Sequence, residues 1–479
     1  MGNTLSEVKD KITVAEIVHS GEKLILPVDM ELDDAIVLLR RRKEYLHQVV
    51  NLSEAFDVNP LDGAHALDCV LAEKYGWTNS IPTPGFWGDS PPQLIAVETS
   101  MGVFKNVPWG MFNLPNVTGQ LSVGTATKHG RTVFQITAQV RRHNEPQVQD
   151  LFEAVRNFLV TGSIYRGKAV KIRFKDEDGD VLGQPEIRFI DTQIDESMLI
   201  YSADIQASVI TNLFTPIQRL PDLVAHGIPF KRGVLLGGVF GTGKTLAAKV
   251  ASKYAVQNNI TYIYVTRADE LQEALQFATQ YQSPGVVIFC EDIDRVMDGQ
   301  RSVKMDDILN VIDGIDAKNT NIMVVLTTNF LNKINPAMLR PGRLDAVIEI
   351  TPPDGPAVQR LLRFYGGDYI QPGEDLKEVG EKLAGEIPAV VQEVVKRAKL
   401  AQLTRTPAGE QIRTIKADAL LEAAITMTAQ LALLNHKQVV RAELSLGEQL
   451  EQAVTRAMNG TSKAVGKTHI LAEEIRQRV

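Results

Sequence analysis

Eight residues, Gly238-Val239-Phe240-Gly241-Thr242-Gly243-Lys244-Thr245, fit G-x-x-x-x-G-K-[ST] in full. That spacing is a device for holding phosphate. Glycines let successive backbone N–H groups turn inward around a β-phosphate, and a helix starting there adds its dipole. Lys244 would reach the β- and γ-phosphates, and the Thr245 hydroxyl would ligate Mg2+. Gly238, Gly241, Thr242, Gly243, Lys244, Thr245 and Leu246 are the candidate nucleotide-binding residues. An ordinary Gly-rich turn is the competing reading. The flanks oppose it, since the β-rich run GVLL precedes the loop and LAAKVASKYAV reads as a helix after it.

The second feature is VVIFCEDID, Val286–Asp294. Apolar strands often end in acids, so the run gains weight only from following a phosphate loop. In a parallel sheet the loops at the carboxyl ends of the strands line the ligand crevice. That would bring Glu291 and Asp292 to the phosphates, one to hold Mg2+ and the other to orient and polarise the attacking water. A further strand, VVLTTNF, ends at Asn329, whose amide could orient water or a γ-phosphate, although Asn after a strand is usually a turn residue. PAMLRPGRLD then carries Arg340 and Arg343. They read either as a solvated turn or as charges aimed at a γ-phosphate in a neighbouring subunit.

The elements that must position these groups are legible in outline. From about Ser208 the runs GVLL, TYIYV, VVIF, IMVVL and VIEI alternate with helical segments. Such alternation implies an α/β fold, a mainly parallel sheet with helices on both faces. Residues 1–205 read as a separate α+β region. It has a helix over Asp33–Val50, a hairpin over Gln120–Val140, an amphipathic helix from Glu145 and a second hairpin through AVKIRF and EIRFI. The expected division is an N-terminal domain at 1–205, a nucleotide-binding subdomain at 206–355, a helical lid at 356–437 and a helical tail at 438–479. Phe86, Trp87, Trp109 and Phe112 lie in Pro/Gly-rich loops of the first region. Core packing is the favoured reading for them, and partner contact the other.

Composition narrows the classes of partner. The chain has 479 residues, 44% hydrophobic and 23% charged, with a net charge of −7. A general nucleic-acid binder needs a basic excess to release counterions, so DNA or RNA is not the default partner. Two cysteines support no disulfide framework. No run approaches about 18 apolar residues, so no membrane segment is expected and the cytoplasm is the expected location.

Phosphate loop, acidic strand, strand ending in Asn and LRPGR, in that order, resemble the AAA+ ATPases, specifically the classical AAA branch. The likeness covers roughly residues 205–435. Within that branch HGIPFKRGVLL, CEDID and LTTNFLNKINPAMLRPGRLD are most similar to the mitochondrial AAA translocase of the Rieske iron–sulfur protein, whose acidic strand also has Glu before Asp. DDILNVIDGID, Asp306–Asp316, resembles the family helix that follows that strand. The resemblance implies ATP and Mg2+ as cofactors. It gives the magnesium role to Glu291, the water-activating role to Asp292 and the sensor role to Asn329. Arg340 and Arg343 become fingers acting in trans in a homo-oligomeric ring, a hexamer or heptamer. Ile387, Pro388 and Ala389, at the start of the lid helix, would lie at the nucleotide. Two departures stand out: Val239-Phe240 replaces the usual Pro-Pro of the loop, and that group's membrane-spanning N-terminus has no counterpart.

Unfolding machines of this kind carry an aromatic-apolar-Gly pore loop after the second strand. Here YIYV runs through TRADELQEALQFATQYQSPG to the acidic strand with no early aromatic. The expectation is a ring ATPase that remodels or translocates a protein partner without threading unfolded chains. A slow nucleotide-dependent assembly scaffold is the alternative, and a nucleic-acid motor a weaker one.

Overall fold

A computed structural model describes residues 30–430 except 86–87, 129–130, 177, 294–320, 332–343, 413 and 429, together with 16–19 and 22–25. The chain divides into two compact units. The larger comprises residues 1–196, 207–238 and 244–349, and the smaller 197–206, 239–243 and 350–479.

In the larger unit the first described elements are a short antiparallel pair, β1 (Glu16–His19) and β2 (Glu22–Ile25). Helix α1 (Leu32–His47) then leads into β3 (Val49–Phe56). Helix α2 (Pro60–Tyr75) starts on a built cap: the Asn59 side chain accepts the Leu61 N–H, and Pro60 occupies the first turn, where no N–H is needed. Strands β4 (Asn79–Ile81), β5 (Gln93–Ser100), β6 (Val103–Trp109), β7 (Met111–Asn113), β8 (Gly119–Lys128) and β9 (Arg131–Arg141) follow, then α3 (Glu145–Thr161). The antiparallel sheet runs β3-β9-β8-β7-β4, and β5 and β6 form a ribbon of their own. The hairpin expected over Gln120–Val140 is β8–β9, paired from Gly119↔Val140 to Lys128↔Arg131.

One close approach fixes how α2 sits on this sheet. A Cβ added at Gly63 would lie 2.1–2.5 Å from the Phe134 side chain, so only a glycine lets helix and strand meet there. Phe112 is buried and Trp109 packs against the core, in line with the core reading of these aromatics. Phe86 and Trp87 lie outside the described residues.

The next hairpin departs from expectation. Strands β10 (Ala169–Lys175) and β11 (Val181–Phe189) pair antiparallel, but β10 also pairs in parallel with β13 (Thr261–Val265). The register runs from Ala169↔Tyr262 to Ile172↔Val265. The boundary read at 205 therefore does not separate the sheets, because the hairpin assigned to the N-terminal region completes the nucleotide-binding sheet. Ala169, Val170 and Ile172 are buried there. Their partner strand lies about ninety residues further on, beyond the reach of local pattern. One core runs from Leu67, Phe134 and Phe152 through Ile172 to Ile263, Ile288 and Val324.

A buried polar cluster ties the same regions together. Asp62 on α2 accepts hydrogen bonds from Ser163 Oγ (2.7 Å), the Ile164 N–H (2.9 Å) and Tyr281 Oη (3.2 Å). Burial pushes its pKa up to about 6 against the pull of these donors.

The helical stretch α4 (Ala203–Val209), one π turn (Ile210–Phe214), α5 (Thr215–Gln218) and α6 (Leu220–Ala225) lead into β12 (Arg232–Gly237). Helix α7 (Lys244–Gln257), β13, α8 (Leu271–Ala278), β14 (Val286–Cys290), β15 (Ile322–Thr328) and β16 (Ala346–Glu349) complete the unit. The seven-stranded order is β11-β10-β13-β14-β15-β12-β16, parallel except for β11. Every residue of β14 and β15 is buried, which continuous apolar runs such as VVIFC and IMVVL require when both faces of a parallel sheet are covered.

The smaller unit is helical. Asp354 caps α9 (Gly355–Gly366) by accepting the Ala357 N–H, and α10 (Lys377–Lys382), α11 (Pro388–Arg405) and a helical stretch at 417–428 follow. Val358, Leu361, Leu362, Val391, Val394 and Leu420 form its core. The tail expected at 438–479 lies outside the described residues.

Candidate nucleotide site

The phosphate loop joins β12 to α7, as the sequence predicts. Gly241 and Gly243 have φ of 78° and 100°, conformations that other L-residues rarely adopt, so the loop's path depends on them. Lys244 is buried and donates from Nζ to the Gly238 carbonyl at 2.6 Å. The Gly238 N–H in turn donates to Thr328 O at the end of β15. In the smaller unit Thr242 Oγ1 donates to Val239 O, and Tyr201 Oη donates to the Gly243 carbonyl at 2.8 Å. Val239 and Phe240, at the positions of the usual prolines, are exposed, and Leu246 is half-buried at the start of α7.

Glu291 and Asp292 leave the end of β14 in different ways. Glu291 lies between two hydroxyls: Oε1 bonds Thr245 Oγ1, and Oε2 accepts from Tyr264 Oη at 2.5 Å. Asp292 has φ of 47°, a left-handed conformation that Asp tolerates better than most residues. Its N–H donates to Thr327 Oγ1 (3.0 Å), and its Oδ1 accepts from Asn329 Nδ2 (2.9 Å). Four sequence-predicted residues thus meet in two contacts, Thr245 with Glu291 and Asp292 with Asn329. Asp292 is one methylene shorter than Glu, and the left-handed turn of its backbone is accompanied by a direct bond to the neighbouring strand end.

A hydroxyl and a carboxylate in contact form an oxygen donor pair suited to a hard cation such as Mg2+, with phosphate oxygens and water supplying the rest. Among the described residues no group of three or more His, Cys, Asp or Glu could hold a metal alone. A metal here would therefore be shared with the nucleotide. Cys290, the last residue of β14, is buried, and its thiol pKa is pushed up to about 12 by burial first and then by the surrounding carboxylates. It is no nucleophile near neutral pH. Arg340, Arg343 and the segment Asp306–Asp316 lie outside the described residues.

Sequence reasoning missed Tyr264, Thr327 and Tyr201. The first had a findable signal: in a parallel sheet the ends of TYIYV and VVIFC lie side by side, and the register pairs Tyr264 with Phe289 and Val265 with Cys290. Thr327 and Tyr201 carry no local pattern that separates them from ordinary strand and turn residues.

The segment after β13 is short and pinned. Ala268–Glu270 form a single 3-10 turn that runs directly into α8. Glu270 is fully buried, and its Oε1 accepts the N–H groups of Phe174 and Lys175 on β10. Asp269 pairs with Lys175 and with Arg267.

Comparison with known proteins agrees with this geometry. The family described as "ATPase family associated with various cellular activities (AAA)" matches residues 234–352. The chain is 30% identical over 207 residues to a 26S proteasome regulatory subunit 8 homolog of Schizosaccharomyces pombe, covering 39% of this chain and 51% of that protein. It is 25% identical over 288 residues to an ATP-dependent zinc metalloprotease FtsH of Mycoplasmopsis pulmonis, covering 54% of this chain and 34% of that protein. The chain thus spans about half or less of the length of these curated relatives.

Proposed function

We propose that this chain, whose residues 234–352 form an AAA ATPase domain, couples ATP hydrolysis to remodelling or translocating a protein partner from within a homo-oligomeric ring. The observation that carries the reading is the pair of contacts beside the phosphate loop, Thr245 with Glu291 and Asp292 with Asn329. Lys244 and the loop N–H groups bind the phosphates, and Thr245 and Glu291 hold Mg2+. When bound, the cation neutralises charge developing on the β- and γ-oxygens. Asp292 accepts the proton of the attacking water, and Asn329 holds that carboxylate in place. Arg340 and Arg343, reaching a neighbour's nucleotide, make hydrolysis depend on a closed ring of six or seven copies. The helices of the smaller unit serve as the lid, with Ile387, Pro388 and Ala389 at the nucleotide, and residues 1–168 select the client.

The proteasome and protease names of the relatives favour a protein client over nucleic acid, as does the acidic charge balance. Among the described residues no helix is long and apolar enough to cross a membrane, and we place the work in the cytoplasm. The Glu-before-Asp order keeps the likeness to the Rieske-protein translocase group as our finer assignment. Pinning of Ala268–Glu270 supports remodelling without threading, since a pore loop needs free length where Glu270 is buried.

Mass photometry with and without a non-hydrolysable ATP analogue tests the ring. A six- or seven-fold mass with nucleotide is expected, and monomer under all conditions refutes it. Crosslinks from residues 266–275 to an unfolded polypeptide in the ring's centre would refute the non-threading part. A slow scaffold is distinguished by turnover that is no faster in wild type than in Asp292→Asn.

A further inference from the structure

Glu291 carries one more methylene than Asp292 beside it, so its carboxylate has one more rotatable bond to restrain. Thr245 meets only one of its oxygens. The other accepts from Tyr264 Oη at 2.5 Å. Tyr264 is itself held by residues of the two flanking strands. Its ring stacks on Phe289 of β14 at 5.4 Å between centroids and 25° between planes, and Lys171 Nζ of β10 lies 5.6 Å from its centroid. The clamp comes partly from the strand that the N-terminal hairpin adds to the sheet. A carboxylate only accepts, so the phenol is the donor.

We infer that Tyr264 is the positioning residue for Glu291: its hydroxyl fixes Oε2, leaving Oε1 beside Thr245 Oγ1 as the oxygen offered to a nucleotide-bound divalent cation. This rests on the ATPase reading above and adds a residue to it. It explains how a sheet can use Glu in place of Asp, because the extra methylene is restrained by a hydroxyl from the adjacent strand. Partners that orient a ligating carboxylate matter to metal affinity roughly 10- to 100-fold when removed.

The test uses the full-length protein loaded with a non-hydrolysable ATP analogue and titrated with Mn2+, read by electron paramagnetic resonance. Tyr264→Phe removes one oxygen and keeps the ring stack. The expected result is Mn2+ binding weakened roughly 10- to 100-fold, with analogue affinity in EDTA within about twofold of wild type. Half-saturating Mg2+ for hydrolysis should rise by the same factor, while kcat at saturating Mg2+ stays near the wild-type value. Unchanged Mn2+ affinity, or an equal loss of metal-free nucleotide affinity, overturns the inference. Glu291→Asp gives a second reading: the shorter carboxylate has no extra methylene for the phenol to restrain, so adding Tyr264→Phe to Glu291→Asp should leave Mn2+ affinity within about twofold of Glu291→Asp alone, and a further loss as large as in the wild-type background overturns the inference. A wild type that binds no ATP analogue overturns the ATPase reading itself, a failure distinguishable from either variant result.

Discussion

Exchanging Asp62 for Asn should remove one pH-dependent part of the stability of the larger unit. The Asp62 carboxyl is fully buried among Ser163 Oγ, the Ile164 N–H and Tyr281 Oη. Burial raises its pKa from 3.8 to about 6. An acid with a higher pKa folded than unfolded binds its proton more tightly in the native state. Its contribution is fully present below 3.8 and is lost as pH rises through about 6. A shift of about two units corresponds to about 3 kcal/mol at 1.36 kcal/mol per unit. Other carboxylates titrate over the same range, so the informative quantity is the difference between variant and wild type at each pH. Trp77 and Trp109 lie in the same unit as Asp62, so tryptophan fluorescence reports its unfolding. Urea midpoints from about pH 4 to about pH 7 should show Asp62→Asn gaining on wild type by about 3 kcal/mol. A difference that stays flat over that range would refute burial of Asp62 in this cluster, and with it the polar tie between α2 and Tyr281.

Three further outcomes follow from close contacts. Gly63→Ala puts a Cβ into the Phe134 ring and should cost about 1–3 kcal/mol in the same urea assay. Glu270→Ala strips the Phe174 and Lys175 N–H groups of their acceptor, costing about 1–3 kcal/mol, and should speed hydrogen exchange at those two amides. Asn329→Ala removes the donor to Asp292 and should slow ATP turnover about 10- to 100-fold, as expected for a hydrogen bond to a charged group, with fluorescent-nucleotide binding unchanged.

The parts of this molecule that could be read in advance are local. The phosphate loop needs glycines, a lysine and a hydroxyl within eight consecutive residues, and β14 and β15 are continuous apolar runs. Asn329 and the two acids follow from where those strands end. What escaped the sequence depends on pairing across long separations. AVKIRF looks like half of any hairpin, and nothing in its alternation says that it also lies parallel to TYIYV. Tyr281 and Asp62 meet across 219 residues. Tyr264 reads as an ordinary aromatic strand residue until the register with β14 puts its hydroxyl on Glu291. The left-handed backbone at Asp292, which its type tolerates, likewise goes with contacts to Thr327 and Asn329 that lie more than thirty residues away in sequence.

The most direct measurement of the proposed chemistry is steady-state phosphate release by wild type and Asp292→Asn at saturating ATP and Mg2+, with nucleotide binding measured alongside. If Asp292 activates the attacking water, the variant binds ATP as wild type does and loses turnover by about 10²- to 10⁴-fold, the usual worth of a positioned general base. Equal rates in the two proteins would contradict that role and leave the Asp292–Asn329 contact as structure alone.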